Sequence, residues 1–541
     1  MSESDSKEKD VGNIHQHDAG SYPDEEVGIV HKGAALKTDL RGRHMQMIAV
    51  GGAIGAGLFI GSGGALYNGG PASLIIGYLI IGVMLLFTMQ ALGELAVLYP
   101  VNGAFYTYVV RFIDPSLGFA VGWEYAISWL TVLPFELIAA SSTIKFWRED
   151  INSAVWVTVF LVVLILIQVF GVRGYGEVEF VLSIIKIAAC IGFIILGIII
   201  NVGGVGNQGY LGAKYWHDPG AFQNGFNGFA GVFVVAAFSF GGTELVGLAA
   251  AESANPRKAI PLAAKQVFFR ILFFYVVNLF ILGLIFKSTD ERLSHATGSN
   301  SRFSPFVLAI QDAGIKVLPS IFNAVITISV ISVANSCAFG STRTMQALAE
   351  RGMAPKFLSY VDKAGRPLWC VVIQLAFGLL GYVVDAPKGG DAFTWLLALS
   401  GLSYFFTWGS CCLAHIRFRM AWKAQGRDPR EIPYRAPLGI WGSWIGFGLV
   451  WVCLIATFYN ALYPTPHSKP SAETFFQQYL AAFVFILLFL FWKVYSGNWR
   501  LYVNLNDIDL VSGSRPLDPS EFDDPSAAKG NWAMRIVRSL F

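Results

Sequence analysis

Two glycine-rich stretches carry most of the chemical information in this sequence. The first is Gly51-Gly52-Ala53-Ile54-Gly55-Ala56-Gly57-Leu58-Phe59, and the second is Phe238-Ser239-Phe240-Gly241-Gly242-Thr243-Glu244. Both lie inside long apolar runs. Glycine disfavours helix by about 1 kcal/mol per residue relative to alanine, so each stretch invites the backbone to unwind. Unwound backbone exposes amides and carbonyls, which hydrocarbon tolerates only around a cavity or a ligand. The freed N-terminus of a half-helix attracts an anion, and freed carbonyls attract a cation. Taken singly, either stretch reads better as a close helix contact. A nucleotide-binding loop is excluded, because that needs a strand before it and a soluble crevice around it.

Four charged side chains fall within or beside apolar runs: Glu94, Glu136, Lys186 and Glu244. Each costs at least about 2.5–3.5 kcal/mol at bilayer depth. Glu136, in Leu133-Pro134-Phe135-Glu136-Leu137, is either a cavity-lining group for substrate or proton, or a protonated carboxyl bonded to a neighbouring helix. Lys186 either stands where a transporter would otherwise hold sodium or snorkels to the interface. Glu244 directly follows the second glycine stretch, which favours a functional role. Glu94 fits a structural salt bridge or helix cap, and His415 an interfacial position. Phe238 is placed to cover a bound ligand. No His/Cys/Asp cluster has metal-ligand spacing, and no Ser-His-Asp or phosphate-loop pattern occurs. The expected chemistry is binding, with no catalytic residue, metal or cofactor. Six cysteines (Cys190, Cys337, Cys370, Cys411, Cys412, Cys453) lie in or beside apolar runs and read as buried thiols.

The elements that position these groups follow from composition. The chain has 541 residues, 54% hydrophobic and 14% charged, against about a quarter charged in soluble proteins. That excludes a water-facing surface of this size. A net charge of +3 gives no sign of nucleic-acid binding. Spans of about 20 apolar residues are predicted at 45–67, 72–93, 118–143, 153–171, 180–200, 226–250, 267–286, 318–342, 368–384, 392–414, 440–463 and 474–492. These make an all-α polytopic membrane protein with twelve transmembrane helices. Lys and Arg concentrate in the loops on the terminus side, above all in 343–366 and 417–435, so both termini are predicted cytoplasmic. Residues 1–44 read as a disordered cytoplasmic tail without a signal peptide, and 493–541 as a cytoplasmic C-tail. The glycine stretches fall in spans one and six. A separation of five spans is what a 5+5 inverted repeat with broken helices 1 and 6 produces. It divides the body (45–492) into repeats 45–200 and 226–414, plus two peripheral helices at 440–492. Two breaks meeting at the midplane suit a zwitterion, and an α-amino acid is the natural candidate.

Longer motifs run through the same positions. They include Leu40-Arg41-Gly42-Arg43-His44-Met45, Ala91-Leu92-Gly93-Glu94, Phe135-Glu136-Leu137-Ile138-Ala139-Ala140-Ser141, Ala251-Glu252-Ser253-Ala254-Asn255-Pro256-Arg257-Lys258-Ala259-Ile260-Pro261, Ala334-Asn335-Ser336, His415-Ile416-Arg417-Phe418-Arg419 and Asp507-Ile508-Asp509-Leu510. In these the chain resembles the fungal amino-acid permeases, the yeast branch of the amino acid–polyamine–organocation (APC) superfamily, over roughly residues 37 to 515. The resemblance implies a LeuT/APC-like fold and proton-driven import of L-amino acids, broad or neutral in range, across the plasma membrane. It implies that the amides of Ala56 and Gly57 hold the substrate carboxylate, and that carbonyls of Ala53, Phe238 and Gly241 hold its ammonium. Ile54, Gly55 and Ser239 complete the two unwound stretches. Phe238 becomes an aromatic gate, and Glu136 and Thr407 contribute to recognition. Lys186 matches the lysine that replaces sodium; Lys186, Glu244 or Glu136 carries the proton. Many relatives have Thr or Ser where this chain has Ala56, so a hydroxyl donor is lost. Expected partners are the amino acid, the proton and the bilayer, with trafficking or ubiquitin machinery at the tails. An exchanger, or a non-transporting receptor on the same fold, are the alternatives.

Overall fold

The computed structural model describes residues 40, 42–206, 208–253, 256–294, 304–386, 389–465 and 470–514. The expected N-tail up to residue 39 and the last tail residues, 515–541, lie outside the described residues. Among the described residues no strand forms; one isolated parallel bridge joins Leu40 to Ser253. Nine helices there are long and apolar enough to cross a membrane. The chain is a polytopic, mostly helical membrane protein.

We label the helices in chain order as α1 (Gly42–Gly51), α2 (Gly57–Leu98), α3 (Ala104–Phe112), α4 (Pro115–Ile144), α5 (Ser153–Val169), α6 (Gly171–Asn201), α7 (Gly225–Phe240), α8 (Leu245–Ala249), α9 (Ala259–Ile285), α10 (Leu318–Glu350), α11 (Leu368–Val384), α12 (Gly389–Ala424), α13 (Ile440–Leu462) and α14 (Ala472–Ser496). The expected loop between spans one and two is a kink. Helix α2 runs through it, with Gly70 alone out of helical geometry (φ 80, ψ 169) and Pro71 following. A side chain at Gly70 would meet the Ala221 carbonyl at 2.7 Å, so glycine serves both conformation and space.

Helix α4 begins where its sequence says it should. Asp114 caps it, accepting from the Ser116 and Leu117 amides at 2.8 and 3.0 Å, and Pro115 takes the first position. Helices α4 and α10 form the centre of the bundle, with 89% and 72% of their most apolar windows buried. They approach closely because Gly340 of α10 faces the Trp129 ring of α4; a Cβ there would lie 3.0 Å from three ring atoms. Without a hydrophobic force between helices in lipid, such close packing supplies the attraction. The outer helices present apolar side chains outward, such as Leu166, Trp441, Ile455 and Leu487, as a lipid-facing surface must.

One end of the bundle is tightly closed. Arg343 of α10 pairs with Glu252 at 2.7 Å, and Leu40 donates its amide to the Glu252 carbonyl at 3.2 Å. Beside them the rings of Tyr175 and Phe339 stack at 4.7 Å. The chain after α14 straps the same end. Tyr99 donates to the Leu510 carbonyl at 3.0 Å, Gln425 to the Ile508 carbonyl at 2.8 Å, and Ile508 and Leu510 are buried. All six cysteines are free and buried.

Replacing Gly340 by Leu forces atoms into the Trp129 ring, and overpacking of this kind costs about 1–3 kcal/mol. The melting temperature of detergent-purified protein should fall by several degrees; an unchanged value would show that α4 and α10 do not meet here.

Candidate functional site

Both glycine stretches interrupt helices. Helix α1 ends at Gly51, and Gly52 still donates to Ile48 O at 3.1 Å; helix resumes as a wide turn at Gly57–Gly61, with Phe59 N donating to Gly55 O at 3.1 Å. Helix α7 ends at Phe240. Gly241 leaves helical geometry (φ −54, ψ 141), and Gly242 takes φ 96, a conformation open to glycine. Glu244 fixes this second break. Its buried carboxylate accepts from the Gly242 amide at 3.1 Å, the Tyr125 hydroxyl at 3.0 Å and Trp408 Nε1 at 3.3 Å.

The two breaks pack against each other. A Cβ on Gly57 would lie 2.7 Å from Ser239 Cα and 3.0 Å from Phe238 Cδ1. A Cβ on Gly242 would lie 3.5 Å from that of Ala53. Tyr275 of α9 ties them together. Its hydroxyl lies 3.2 Å from Ala53 O on one break and 2.8 Å from Ser239 O on the other, while Arg270 donates to it at 3.2 Å. Tyr78 meets Ser239 Oγ at 2.7 Å. Carbonyls freed by unwinding therefore find a buried donor.

Between the breaks lies a hollow of about 10 Å³, room for about one water. Ala53, Gly55, Gly57, Phe238, Gly241 and Glu136 line it, as do Trp129, Val132, Val333 and Tyr404. A larger cavity of about 250 Å³ reaches Ala56, Gly57 and Phe135 and opens near Pro464 and Thr465, past the end of α13. Phe238 of the hollow and Phe135 of the cavity meet edge-on, with centroids 4.8 Å apart. These two rings stand between the compartments, and Gly57 lines both.

Of the sequence-predicted residues, Ile54 is buried beside the hollow's lining without belonging to it, and Ser239 turns toward Tyr78. Thr407 is buried and does not line the hollow; Tyr404, one turn earlier on α12, does. Glu136 is 1% exposed; its carboxyl lies against the Ala56 amide, and Oε2 has no hydrogen-bond partner among the described residues.

Lys186 does not snorkel. Helix α6 begins at Gly171 rather than near 180, so Lys186 sits about four turns inside it. It is fully buried and pairs with Glu179 Oε1 at 3.5 Å. Ser332 of α10 donates to Glu179 Oε2 at 2.6 Å, and Ser183 donates to Oε1 at 3.1 Å and faces Met47 O of α1 at 3.3 Å. The ion pair thus joins α6, α10 and α1. His415 is not interfacial either. Helix α12 continues to Ala424, and His415 is buried 3.0 Å from Glu94, which also pairs with Arg419 at 2.6 Å. The salt-bridge reading of Glu94 agrees with this.

Sequence reasoning missed Glu179, Arg270, Tyr275, Trp129 and Tyr404. Glu179 had a usable signal, because seven residues before Lys186 is two turns on the same helix face.

Tyr275→Phe removes the one hydroxyl hydrogen that the Ala53 and Ser239 carbonyls share and should destabilise the protein by about 1–3 kcal/mol, with faster amide exchange at 52–55 and 241–244. Exchange unchanged at both breaks would mean that Tyr275 does not brace them.

Comparison with known proteins accords with this geometry. The amino acid permease family matches residues 44–505. The chain is 51% identical over 495 residues to the general amino-acid permease GAP2 of Candida albicans, covering 91% of this chain and 84% of the relative. It is 49% identical over 500 residues to the general amino-acid permease GAP1 of Saccharomyces cerevisiae, covering 91% and 83%. It is 51% identical over 507 residues to the cationic amino acid transporter 1 of Schizosaccharomyces pombe, covering 92% and 85%. A family match across most of the chain, around two broken helices that meet in the membrane, makes this protein a fungal amino-acid permease of the APC superfamily, a transporter and not an enzyme.

Proposed function

We propose that this permease is a proton-coupled symporter that imports L-amino acids of broad or neutral range across the plasma membrane. The reading takes twelve spans: the nine candidates among the described residues, with α2 divided at the Gly70 kink and the shorter apolar helices α5 and α11 added. In this arrangement repeats 45–200 and 226–414 are inverted copies, and both termini face the cytoplasm. The closed end with Leu40 and Glu252 is then cytoplasmic, and the cavity opens outside.

The observation that carries the proposal is the pairing of two unwound stretches across one hollow. In use, the substrate carboxylate meets the amides of Ala56 and Gly57, displacing the Glu136 carboxyl from Ala56. The ammonium meets carbonyls of Ala53, Phe238 and Gly241. The hollow is smaller than an amino acid, so loading requires Phe238 to swing from Phe135. Closure behind the substrate and parting of Glu252 from Arg343 complete the cycle, in the manner of alternating access.

For the proton, the geometry favours Glu136 and Lys186 over Glu244. Three donors hold Glu244 in a scaffolding role. Glu136 has an oxygen without a hydrogen-bond partner among the described residues and interacts electrostatically with Lys186. A proton taken up by Glu136 would weaken its hold on Lys186 and release the Ala56 amide for substrate. The names of the relatives support breadth: two are general permeases and one is a cationic amino acid transporter.

Proteoliposomes should accumulate labelled amino acid when an inward pH gradient is imposed, and not when a sodium gradient replaces it. Uptake indifferent to pH would refute the coupling. Gly57→Val should abolish uptake, since its Cβ alone would overlap Ser239. Removing Lys186 alone leaves a buried carboxylate unpaired, which costs about 3–5 kcal/mol. The double variant Lys186→Met/Glu179→Gln avoids this. It should fold, and lose at least about tenfold in pH-driven accumulation, the scale of one 1.4 kcal/mol coupling. Full pH-driven accumulation in the double variant would remove Lys186 from the mechanism.

A further inference from the structure

One buried ionisable side chain has no part in the site described above. Glu124 lies on α4, about two and a half turns after Pro115, and is 0% exposed. A carboxyl at that depth is expensive unless a cation or a proton neutralises it. The helices around it offer no cation. Neither α4, nor α12 between Ala392 and Ala414, nor α14 between Thr474 and Trp492 contains Lys, Arg or His, and α5 and α11 are uncharged. On the other helices packed against α4 the charges are engaged elsewhere. Arg111 of α3 binds the Ser512 carbonyl, Arg343 of α10 pairs with Glu252, and Glu350 accepts from Asn102 and Gln346. Glu244, beyond α7, is held by Tyr125. The remaining titratable groups there are tyrosines and cysteines, which keep their protons at neutral pH.

The hydrogen count around Glu124 identifies what neutralises it. Ser403 Oγ of α12 lies 2.7 Å from Glu124 Oε1 and 2.8 Å from the Leu399 carbonyl oxygen. A hydroxyl carries one hydrogen. A carboxylate and a carbonyl would have to share it. A carboxylic acid instead donates to Ser403 Oγ, and the hydroxyl then donates to Leu399, so that both contacts are full hydrogen bonds. The neighbouring residues connect this acid to the transport site. Tyr125, next to Glu124, donates to Glu244, which fixes the second break. Tyr404, next to Ser403, lines the hollow. One turn further along α4, Ser128 donates to the Ser400 carbonyl at 3.4 Å, so α4 and α12 meet along a polar seam. A charge at Glu124 would draw water into that seam and loosen Tyr125 and Tyr404 together.

We propose that Glu124 is a second proton-binding residue of the transport cycle, protonated in this conformation and coupled through the α4–α12 seam to the second break and the hollow. On release, the carboxyl O–H bond breaks and the proton passes to water entering the seam. The Ser403 hydroxyl then turns from Leu399 to donate to the carboxylate left behind. Protonation reverses these movements and closes the seam. Glu124 does not touch substrate; it acts through Tyr125 and Tyr404. The inference rests on the proton-coupled reading above and adds a proton site to it beside Glu136.

The test uses full-length protein in proteoliposomes with leucine as substrate. Glu124→Gln keeps the size of the side chain and donates to Ser403 as the acid does, so its melting temperature should stay within a few degrees of wild type. Exchange of labelled for internal leucine without a pH gradient should persist within about twofold. Accumulation driven by an inward pH gradient should fall at least about tenfold. The infrared difference spectrum between wild type and Glu124→Gln should contain the C=O band of a protonated carboxyl. Ser403→Ala removes the hydroxyl that turns to the carboxylate and eases release. The internal pH for half-maximal accumulation should therefore rise by about half to one unit in that variant. The proposal is overturned by unchanged accumulation in Glu124→Gln, by equal losses of accumulation and exchange, by a carboxylate band in place of the acid band, or by an unshifted pH profile in Ser403→Ala. Wild-type accumulation indifferent to pH would instead refute the proton-coupled reading itself.

Discussion

A backbone that unwinds in hydrocarbon must find partners for its amides and carbonyls, and the centre of this protein is arranged around that requirement. Gly52 to Gly55 and Gly241 to Glu244 leave their helices at places where each can be braced by the other. Tyr275 reaches carbonyls of both breaks with one hydroxyl. Glu244 collects the Gly242 amide and two aromatic donors, and so holds the second break open. Glycine at 57 lets the two stretches come within van der Waals contact, because any side chain there would strike Ser239. What remains is a small hollow lined by main chain, one carboxyl and aromatic rings.

The ion pair of Lys186 and Glu179 extends this bracing to neighbouring helices. It is wholly buried, and such a pair contributes little net stability compared with apolar packing. Its value lies in which elements it joins: α6, α10 through Ser332, and the end of α1 through Ser183. The Glu252–Arg343 pair closes one end, and the larger cavity lies toward the other.

Much of this was legible in the sequence because membrane burial makes exceptions conspicuous. Glycine clusters and charges inside apolar runs stand out, so both breaks, Glu136 and Lys186 could be named. Their settings could not. The apolar run underestimates a helix whose ends are polar, and for this reason Lys186 and His415 looked close to an interface; α6 and α12 each run further than their apolar parts. Aromatics carry no signal in a chain with 43 Phe, 20 Tyr and 15 Trp, so nothing distinguished Tyr275, Trp129 or Tyr404 from packing residues. Thr407 and Tyr404 are three residues apart on α12, and only packing decides which of them meets the hollow.

The most direct test of the account is an experimental density map of the full-length protein at saturating L-amino acid, compared with one recorded without it. The ligand should lie between the two breaks, its carboxylate on the Ala56 and Gly57 amides and its ammonium on carbonyls of the second break, with Phe238 displaced from Phe135. A ligand seated elsewhere, with both breaks and Phe238 unchanged, would contradict it.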